Sequence, residues 1–582
     1  MQYGSDVSPQ HGRNQGWGRG LSVVFGLLLA GSVGCYGSIA DPEPEEIVPG
    51  VGDPGGSGSS GNGSAGNAGG GGASPATGVC KSGTAPASTP ARIWRLSDEQ
   101  IHAAVSDLLP GMSMPSVTTT GRAKSEFINM SELFPVDGAL AVDLRSAARA
   151  VATEAVKTLS TRLGCAPGQD DKACATAFLE RFTARAFRRP LDDDDRDALA
   201  VLFDAGAATS TADGVRLVIE GVLQSPSFLY RSELAGGVAA GGTADLAPHE
   251  LASALSFFLL DSIPDEPLWG AALDGSLARA DVREAQIKRL IQLPRARANL
   301  ARVFLKWTGL GAGVTTELAS EDYPLYDDAM KQSLGEEATR FLTDLLDNGG
   351  TVKDLLTSRK TFVDQRLAGL YGVAYSGGGD FTTTTLPAGE RSGLLTLGSL
   401  IVSKSHGFPV VHRGKWIRKE LLCTDIPSPP PGLNTQPPAS TNLTSRQFAE
   451  FRLGDGTCGA CHQLMDRLGL AFEGYDALGR YATKDKAGNA IDTSGEITGS
   501  DVDGKVNGAV ELAQRLAGSQ QVRLCIESKM MAYALGRDIG GDSDTCEVQR
   551  LDGEVAAAGG RLSDVMTAIA RSPAFRARNG GQ

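Results

Sequence analysis

Two cysteines and a histidine stand within five positions of one another, Cys458-Gly459-Ala460-Cys461-His462, in a chain of 582 residues that holds nine Cys and six His. Thiols two residues apart can each form a thioether with one of the two vinyl groups of a single haem, and an imidazole directly following is placed to ligate the iron. A disulfide or half of a zinc site is the competing reading of the same spacing. A zinc site wants a second ligand pair nearby, and the other cysteines lie far away and singly. The pentapeptide therefore points to haem c held by Cys458, Cys461 and His462, with His462 as the proximal ligand.

The sixth coordination position needs a residue from elsewhere in the chain. Met465 is three residues past His462 on the same helical face, so it packs beside a haem rather than crossing to its other side. His406, His412, Met530, Met531 and Met566 are the candidates, and for each an ordinary packed or surface role is the alternative. A strong sixth ligand from Met or His would close the iron and make an electron-transfer centre. An open position would admit peroxide or oxygen. Arg413 and Arg480 could neutralise haem propionates by charge-assisted pairing. Glu473 and Asp476, three residues apart, are explained as well by capping or a surface ion pair as by acid–base work. No Gly-x-Ser-x-Gly elbow, phosphate-cradling loop or His-Glu-x-x-His pair occurs, which leaves hydrolase readings little support. The net charge of −13 is spread without a basic stripe, so no nucleic-acid partner is expected.

Haem attachment of this kind requires export, and the first residues supply the signal. Arg13 and Arg19 precede the apolar run from Leu21 to Ala30, followed by Gly31-Ser32-Val33-Gly34-Cys35, as in a signal peptide. Ser32-Val33-Gly34-Cys35 resembles a bacterial lipoprotein box, in which Cys35 becomes the lipidated first residue of the mature chain. Ser32 stands where Leu is usual, and a cleavage that discards Cys35 is the other reading. With Cys35, Cys458 and Cys461 assigned, six cysteines remain: Cys80, Cys165, Cys174, Cys423, Cys525 and Cys546. The sequence-local pairs Cys165 with Cys174 and Cys525 with Cys546 are expected, which leaves Cys80 with Cys423. An even remainder suits an oxidising compartment.

The elements that must position the haem motif read as mostly helical. Residues 36–90 are dominated by Gly, Ser, Ala and Pro, a composition that cannot bury enough apolar surface to fold. They predict a tether spanning on the order of 40 Å. Past Ala91, Ser97-Asp98-Glu99-Gln100 has the form of a capping box ahead of Ile101, Ala104, Val105 and Leu108 at helical spacing. A second stripe, Leu251 to Leu259, follows Pro248 at a first-turn position. Others fall near 281–293, 295–307, 331–346, 508–517, 521–536 and 562–571. Two helices end in the same way, in Ser225-Pro226-Ser227-Phe228 and Ser572-Pro573-Ala574-Phe575, read as stop signals whose Phe folds back. The Pro-rich run 427–432 predicts an extended connector toward the haem segment. The expected plan is a signal peptide (1–35), a tether (36–90), helical domains over 91–160, 161–240 and 241–375, a haem-binding domain over 376–500 and a C-terminal helical domain over 501–582. The fold class is mainly α, with an embedded haem segment and minor β.

The same residues resemble a known family, the multidomain cytochrome c-like proteins of planctomycetes and myxobacteria, whose domains are of unknown function. The resemblance is carried by Arg95-Leu-Ser-Asp-Glu-Gln100, Phe187-Arg-Arg-Pro-Leu191, Ser225-Pro-Ser-Phe-Leu-Tyr-Arg231 and Leu251 to Leu259. It continues through Arg413-Gly-Lys415, the haem pentapeptide with Glu473, Asp476 and Gly479, Ala534-Leu-Gly-Arg537 and Ser572-Pro573. It implies an exported haem-binding protein with a helical body and no established substrate. It also ranks His406, at a position where the family often carries His, as first distal candidate, with Met531 second. Asp466 is followed by Arg467 where the family usually carries Asp-Pro, a departure that bears on the local turn after the haem helix. The expectation is a lipid-anchored monohaem protein of the outer membrane or periplasm that exchanges electrons with a redox partner protein. A haem-dependent oxidoreductase, peroxidase-like or polymer-oxidising, and a non-catalytic scaffold lipoprotein are the alternatives.

Overall fold

Helical spacing of apolar residues, punctuated by side-chain caps, builds most of the molecule. In the computed structural model the residues described are 76–84, 87–116, 138–164, 171–310, 316–319, 321–405, 408–427, 444–454 and 458–580. They belong to one unit, 70–582. The signal peptide, Cys35 and most of the tether lie outside them, as do Cys165 and His406.

Ser97 opens α1 (Asp98–Leu108): its hydroxyl accepts from the Gln100 N–H and the Gln100 side chain accepts from the Ser97 N–H, which turns Ile101, Ala104 and Val105 inward. α2 (Gly138–Ala155), α3 (Asp171–Phe187), α4 (Asp193–Ala207) and α5 (Thr211–Gln224) close around the same apolar cluster with Val151, Phe182, Phe203 and Val218. A larger cluster is shared by α6 (Pro248–Leu259), α7 (Pro294–Thr308) and α8 (Asp328–Asp347). Next come α9 (Pro409–Trp416), α10 (Ser445–Gly454) and α11 (Gly459–Gly469). Then α12 (Gln520–Leu535), α13 (Gly541–Ala558) and α14 (Leu562–Arg571) rejoin the larger cluster. The expected stripes coincide to within a few residues with these helices and with two more, Ala280–Ile291 and Gly508–Leu516, and the body is mainly α.

The strands are short and serve as ties. β1 (Thr89–Pro90) runs parallel to β9 (Ala577–Asn579), which pairs on its other side with β4 (Thr243–Asp245). β2 (Arg92–Arg95) pairs antiparallel with β3 (Tyr230–Glu233), Arg92 opposite Glu233. β5 (Lys360–Val363) pairs with β6 (Thr382–Thr385), and β7 (Ser494–Ile497) with β8 (Gly504–Asn507). The two Ser-Pro motifs do more than stop a helix. Ser225 and Ser572 each cap a one-turn helix with Pro at its start, bury Phe228 and Phe575, and launch β3 and β9. Each strand then presents an arginine six residues past its Ser, Arg231 and Arg578.

Both arginines converge on Glu233. Arg578 donates through Nη2 and Nε at 2.6 and 3.0 Å, Arg92 through Nε at 3.1 Å and Arg231 through Nη2 at 3.0 Å. Burial alone would raise this carboxyl, but Arg578, Arg92 and Arg231 outweigh it and bring it down to about 2. Burial pushes the Arg231 guanidinium down to about 10, with Glu233 opposing. The Trp94 ring lies between Arg92 and Arg231, 4.1 and 3.9 Å from its centroid. A Cβ at Gly536, which has φ +56° at the end of α12, would run into that ring.

The cysteine pairing differs from the expected one. Cys80 bonds Cys546 and Cys423 bonds Cys525. Cys525 and Cys546 sit on successive helices, and Cys525 faces the buried 417–422 segment, its sulfur 3.4 Å from the Glu420 carbonyl. Nearness in sequence was the wrong guide because α12 and α13 turn these two side chains to different neighbours. Cys174 is also in a disulfide; the expected partner Cys165 lies outside the described residues.

Candidate functional site

α11 starts at Cys458, whose carbonyl accepts from the His462 N–H at 3.1 Å, so Cys458 and Cys461 are one turn apart and His462 continues the same turn. Neither thiol is in a disulfide and both are partly exposed. The Cys461 sulfur lies 3.9 Å from the Pro427 carbonyl, where the chain enters the Pro-rich run.

One turn further on, Asp466 is fully buried, and its Oδ1 lies 3.0 Å from His462 Nδ1. Its other oxygen accepts from Arg452 of α10 twice, from Nε at 3.0 Å and Nη2 at 2.8 Å. Arg452 is itself seated on aromatic faces: its guanidinium carbon is 4.4 Å from the centroid of Phe448 and 5.4 Å from that of Phe408. The two rings stack at 5.4 Å. Since Phe408 precedes α9 and Phe448 lies on α10, one guanidinium gathers three segments around the histidine.

Two glycines let α9 and α11 approach this closely. A Cβ on Gly414 would overlap the Met465 carbonyl, and one on Gly469 the Val410 carbonyl, so the backbones touch where the helices cross. Val410, Ala449 and Leu470 fill a small apolar cluster beneath the crossing. A π-helical turn, Ile417–Leu421, follows α9 and brings Arg418 Nε to within 3.0 Å of the Leu464 carbonyl of α11.

The remaining sequence candidates fall as follows. Met531 is buried on α12 in the larger apolar cluster together with Met530 and Met566. His412 lies on α9, partly buried, and Met465 is buried on α11. Arg413 is buried, donates to the Ser405 hydroxyl at 2.9 Å, and is pushed down by burial to about 10, Glu473 and Asp476 opposing. Arg480 is bonded to Asp476 at 2.6 Å. Burial raises the Glu473 carboxyl against the pull of Arg413 and Arg446. These groups brace the segment behind α11. Sequence reasoning missed Asp466 and Arg452 as site residues. The His462-x-x-x-Asp466 spacing, one helical turn, was the available signal for the first; Arg452 has none, because it arrives from another helix.

The donor set fits a haem c. It offers two thiols outside any disulfide, one turn apart and reachable from solvent, and a neighbouring imidazole with one nitrogen engaged by a carboxylate and the other left as the ligating atom. Among the described residues no three His, Cys, Asp or Glu side chains cluster as ligands for a metal ion.

Four family models match the chain in sequence order, each described only as a protein of unknown function. Residues 174–233 match DUF1595, 246–373 match DUF1592, 391–485 match PSCyt3 (DUF1588) and 503–575 match DUF1585. The third match contains the whole of the site above. No curated protein and no solved structure matches the chain. These four matches support placing the chain with the planctomycete cytochrome c-like set of domains of unknown function.

Proposed function

We propose that the chain binds one haem c through Cys458, Cys461 and His462 and acts in electron transfer, as an exported protein held to a membrane by lipid on Cys35. The observation that supports this reading most is the arrangement at the start of α11. Two thiols outside any disulfide and an imidazole share one helical turn, and the imidazole's Nδ1 is engaged by Asp466. When bound, the haem supplies a one-electron redox centre. The protein's own contribution is to fix the imidazole, to hold α11 against α9 through Gly414 and Gly469, and to keep the attachment turn open to solvent. A single haem cannot relay electrons far alone, so the reading includes a redox partner protein.

Expression of the full chain in a host competent for cytochrome maturation tests it. Covalent haem is expected in the pyridine haemochrome spectrum, and intact mass should show one added haem together with the lipid on a mature chain whose first residue is Cys35. Cys458→Ala/Cys461→Ala protein should lose the covalent haem. Colourless wild-type protein of bare polypeptide mass overturns the proposal. The second reading, a haem-dependent oxidoreductase, is favoured by the buried carboxylate on His462, an acceptor that strengthens the imidazole as a ligand. A high-spin ferric spectrum would select that reading, and a low-spin one electron transfer.

A further inference from the structure

We infer that Asp466 is a positioning residue for His462: it fixes the imidazole as the Nδ1-protonated tautomer and, as an anionic acceptor, lowers the reduction potential of iron held on Nε2. The argument begins with donors and acceptors. Arg452 has only donors to offer, and it places two of them on Asp466 Oδ2, so the carboxylate's remaining acceptor, Oδ1, is what meets the histidine at 3.0 Å. A carboxylate oxygen facing a ring nitrogen needs a hydrogen between them, and that hydrogen sits on Nδ1. In the neutral ring Nε2 then keeps its lone pair.

Position follows from the same contacts. Asp466 is fully buried and its Oδ2 accepts two converging bonds from a guanidinium that is itself seated on Phe448, so its Oδ1 has little freedom to follow the imidazole. The ring must align with the carboxylate instead. The electronic consequence has a definite sign. Drawing on the Nδ1 proton raises electron density at Nε2, and a stronger donor stabilises ferric iron more than ferrous iron. Arg452 moderates the effect by sharing the carboxylate's charge.

The tautomer stands independently of haem, whereas the potential rests on the haem reading of the preceding section, and the tests separate the two. In full-length chain labelled with 15N in its histidine rings, and at alkaline pH where the ring is neutral, the signal lost in His462→Gln should show a protonated Nδ1 and a bare Nε2. Asp466→Asn should remove that preference. In haem-loaded protein verified by pyridine haemochrome, Asp466→Asn should lower the ferric-to-ferrous ratio at fixed poise about tenfold, a rise of about 59 mV for one electron. Arg452→Lys, which gives up one of the two bonds on Oδ2, should move the midpoint the other way and serves as the second variant if Asp466→Asn does not fold. Asp193→Asn, which removes an exposed carboxylate at the start of α4, should leave it unchanged. A wild-type His462 protonated on Nε2, or a midpoint that stays put or shifts the same way in both variants while covalent haem is present, overturns the inference. If wild-type protein carries no haem but shows the Nδ1 tautomer, the haem reading fails and the positioning role of Asp466 is upheld.

Discussion

Glu233 and Asp466 are both buried carboxylates gripped by arginine, yet the company each keeps gives them different work. Glu233 meets three guanidinium groups, from β2, β3 and β9, and so ties residues at the beginning of the folded body to residues at its end. Asp466 meets one guanidinium and one imidazole, and the imidazole is partly exposed, at 23%. A carboxylate whose partners are all permanently charged has nothing left to adjust, and it acts as a strut. One that divides its oxygens between a fixed cation and a ring able to ligate can tune what that ring binds. Several of the family-like segments, the Arg at the end of Ser225–Arg231, Trp94 beside Arg95 and Gly536 before Arg537, gather at the strut rather than at Cys458–His462.

The largest effect is therefore expected where no chemistry is expected. Glu233→Gln leaves three guanidinium groups buried without a counter-charge and should cost about 3–5 kcal/mol in a urea titration, while haem-loaded protein that remains folded keeps its spectrum. The pH dependence carries the same signature. The folded carboxyl is depressed to about 2 from 4.5, so its stabilisation is complete above about 4.5 and is lost as pH falls through that interval toward 2. Wild-type protein should lose stability over this window, and Glu233→Gln should lose measurably less. Equal losses would show that the strut does not depend on its charge.

The contrast also marks what the residues alone could reveal. Periodicity and caps located the helices because both are local: Ser97 to Gln100 and Pro248 act within one turn of themselves. The Cys458–His462 spacing was legible for the same reason, being a single turn at the start of α11. What escaped was long-range. The echo between Ser225 and Ser572 was visible, but that each is followed six residues later by an arginine meant nothing until β3 and β9 brought both to Glu233. Cys525 and Cys546, 21 positions apart in sequence, instead bond Cys423 and Cys80 at separations of 102 and 466. Asp466 was in plain sight one turn from His462, but its meaning depends on Arg452, which reaches it from another helix.

A moderate effect is expected where α9 crosses α11. Gly414→Ala places a methyl against the Met465 carbonyl, backbone that cannot rotate away, so the helices must part. Overpacking of this sort costs about 1–3 kcal/mol, and because the shift falls at the base of the attachment helix, the haem spectrum should change with it. Gly553→Ala on α13, with nothing near its Cβ, is the matching control and should stabilise by about 0.5–1 kcal/mol. Thermal unfolding of the two variants checks both signs. A Gly414→Ala protein as stable as wild type would mean the crossing is looser than the backbone contact implies.

The smallest effect tests how far the tuning of His462 extends beyond its immediate carboxylate. Phe448→Leu keeps an apolar side chain on α10 but removes the ring face 4.4 Å beneath the Arg452 guanidinium. A cation over an aromatic face at a partly exposed site is worth about 0.5–1 kcal/mol, so stability should fall by no more than that. Without the face to rest on, Arg452 holds Asp466 Oδ2 less firmly, and the carboxylate regains some charge toward the imidazole. The midpoint of the haem-loaded protein should then drift downward, in the direction of Arg452→Lys and by less. If stability falls while the midpoint stays fixed, the aromatic pair is packing only, and control of the histidine ends at the Arg452 to Asp466 bond.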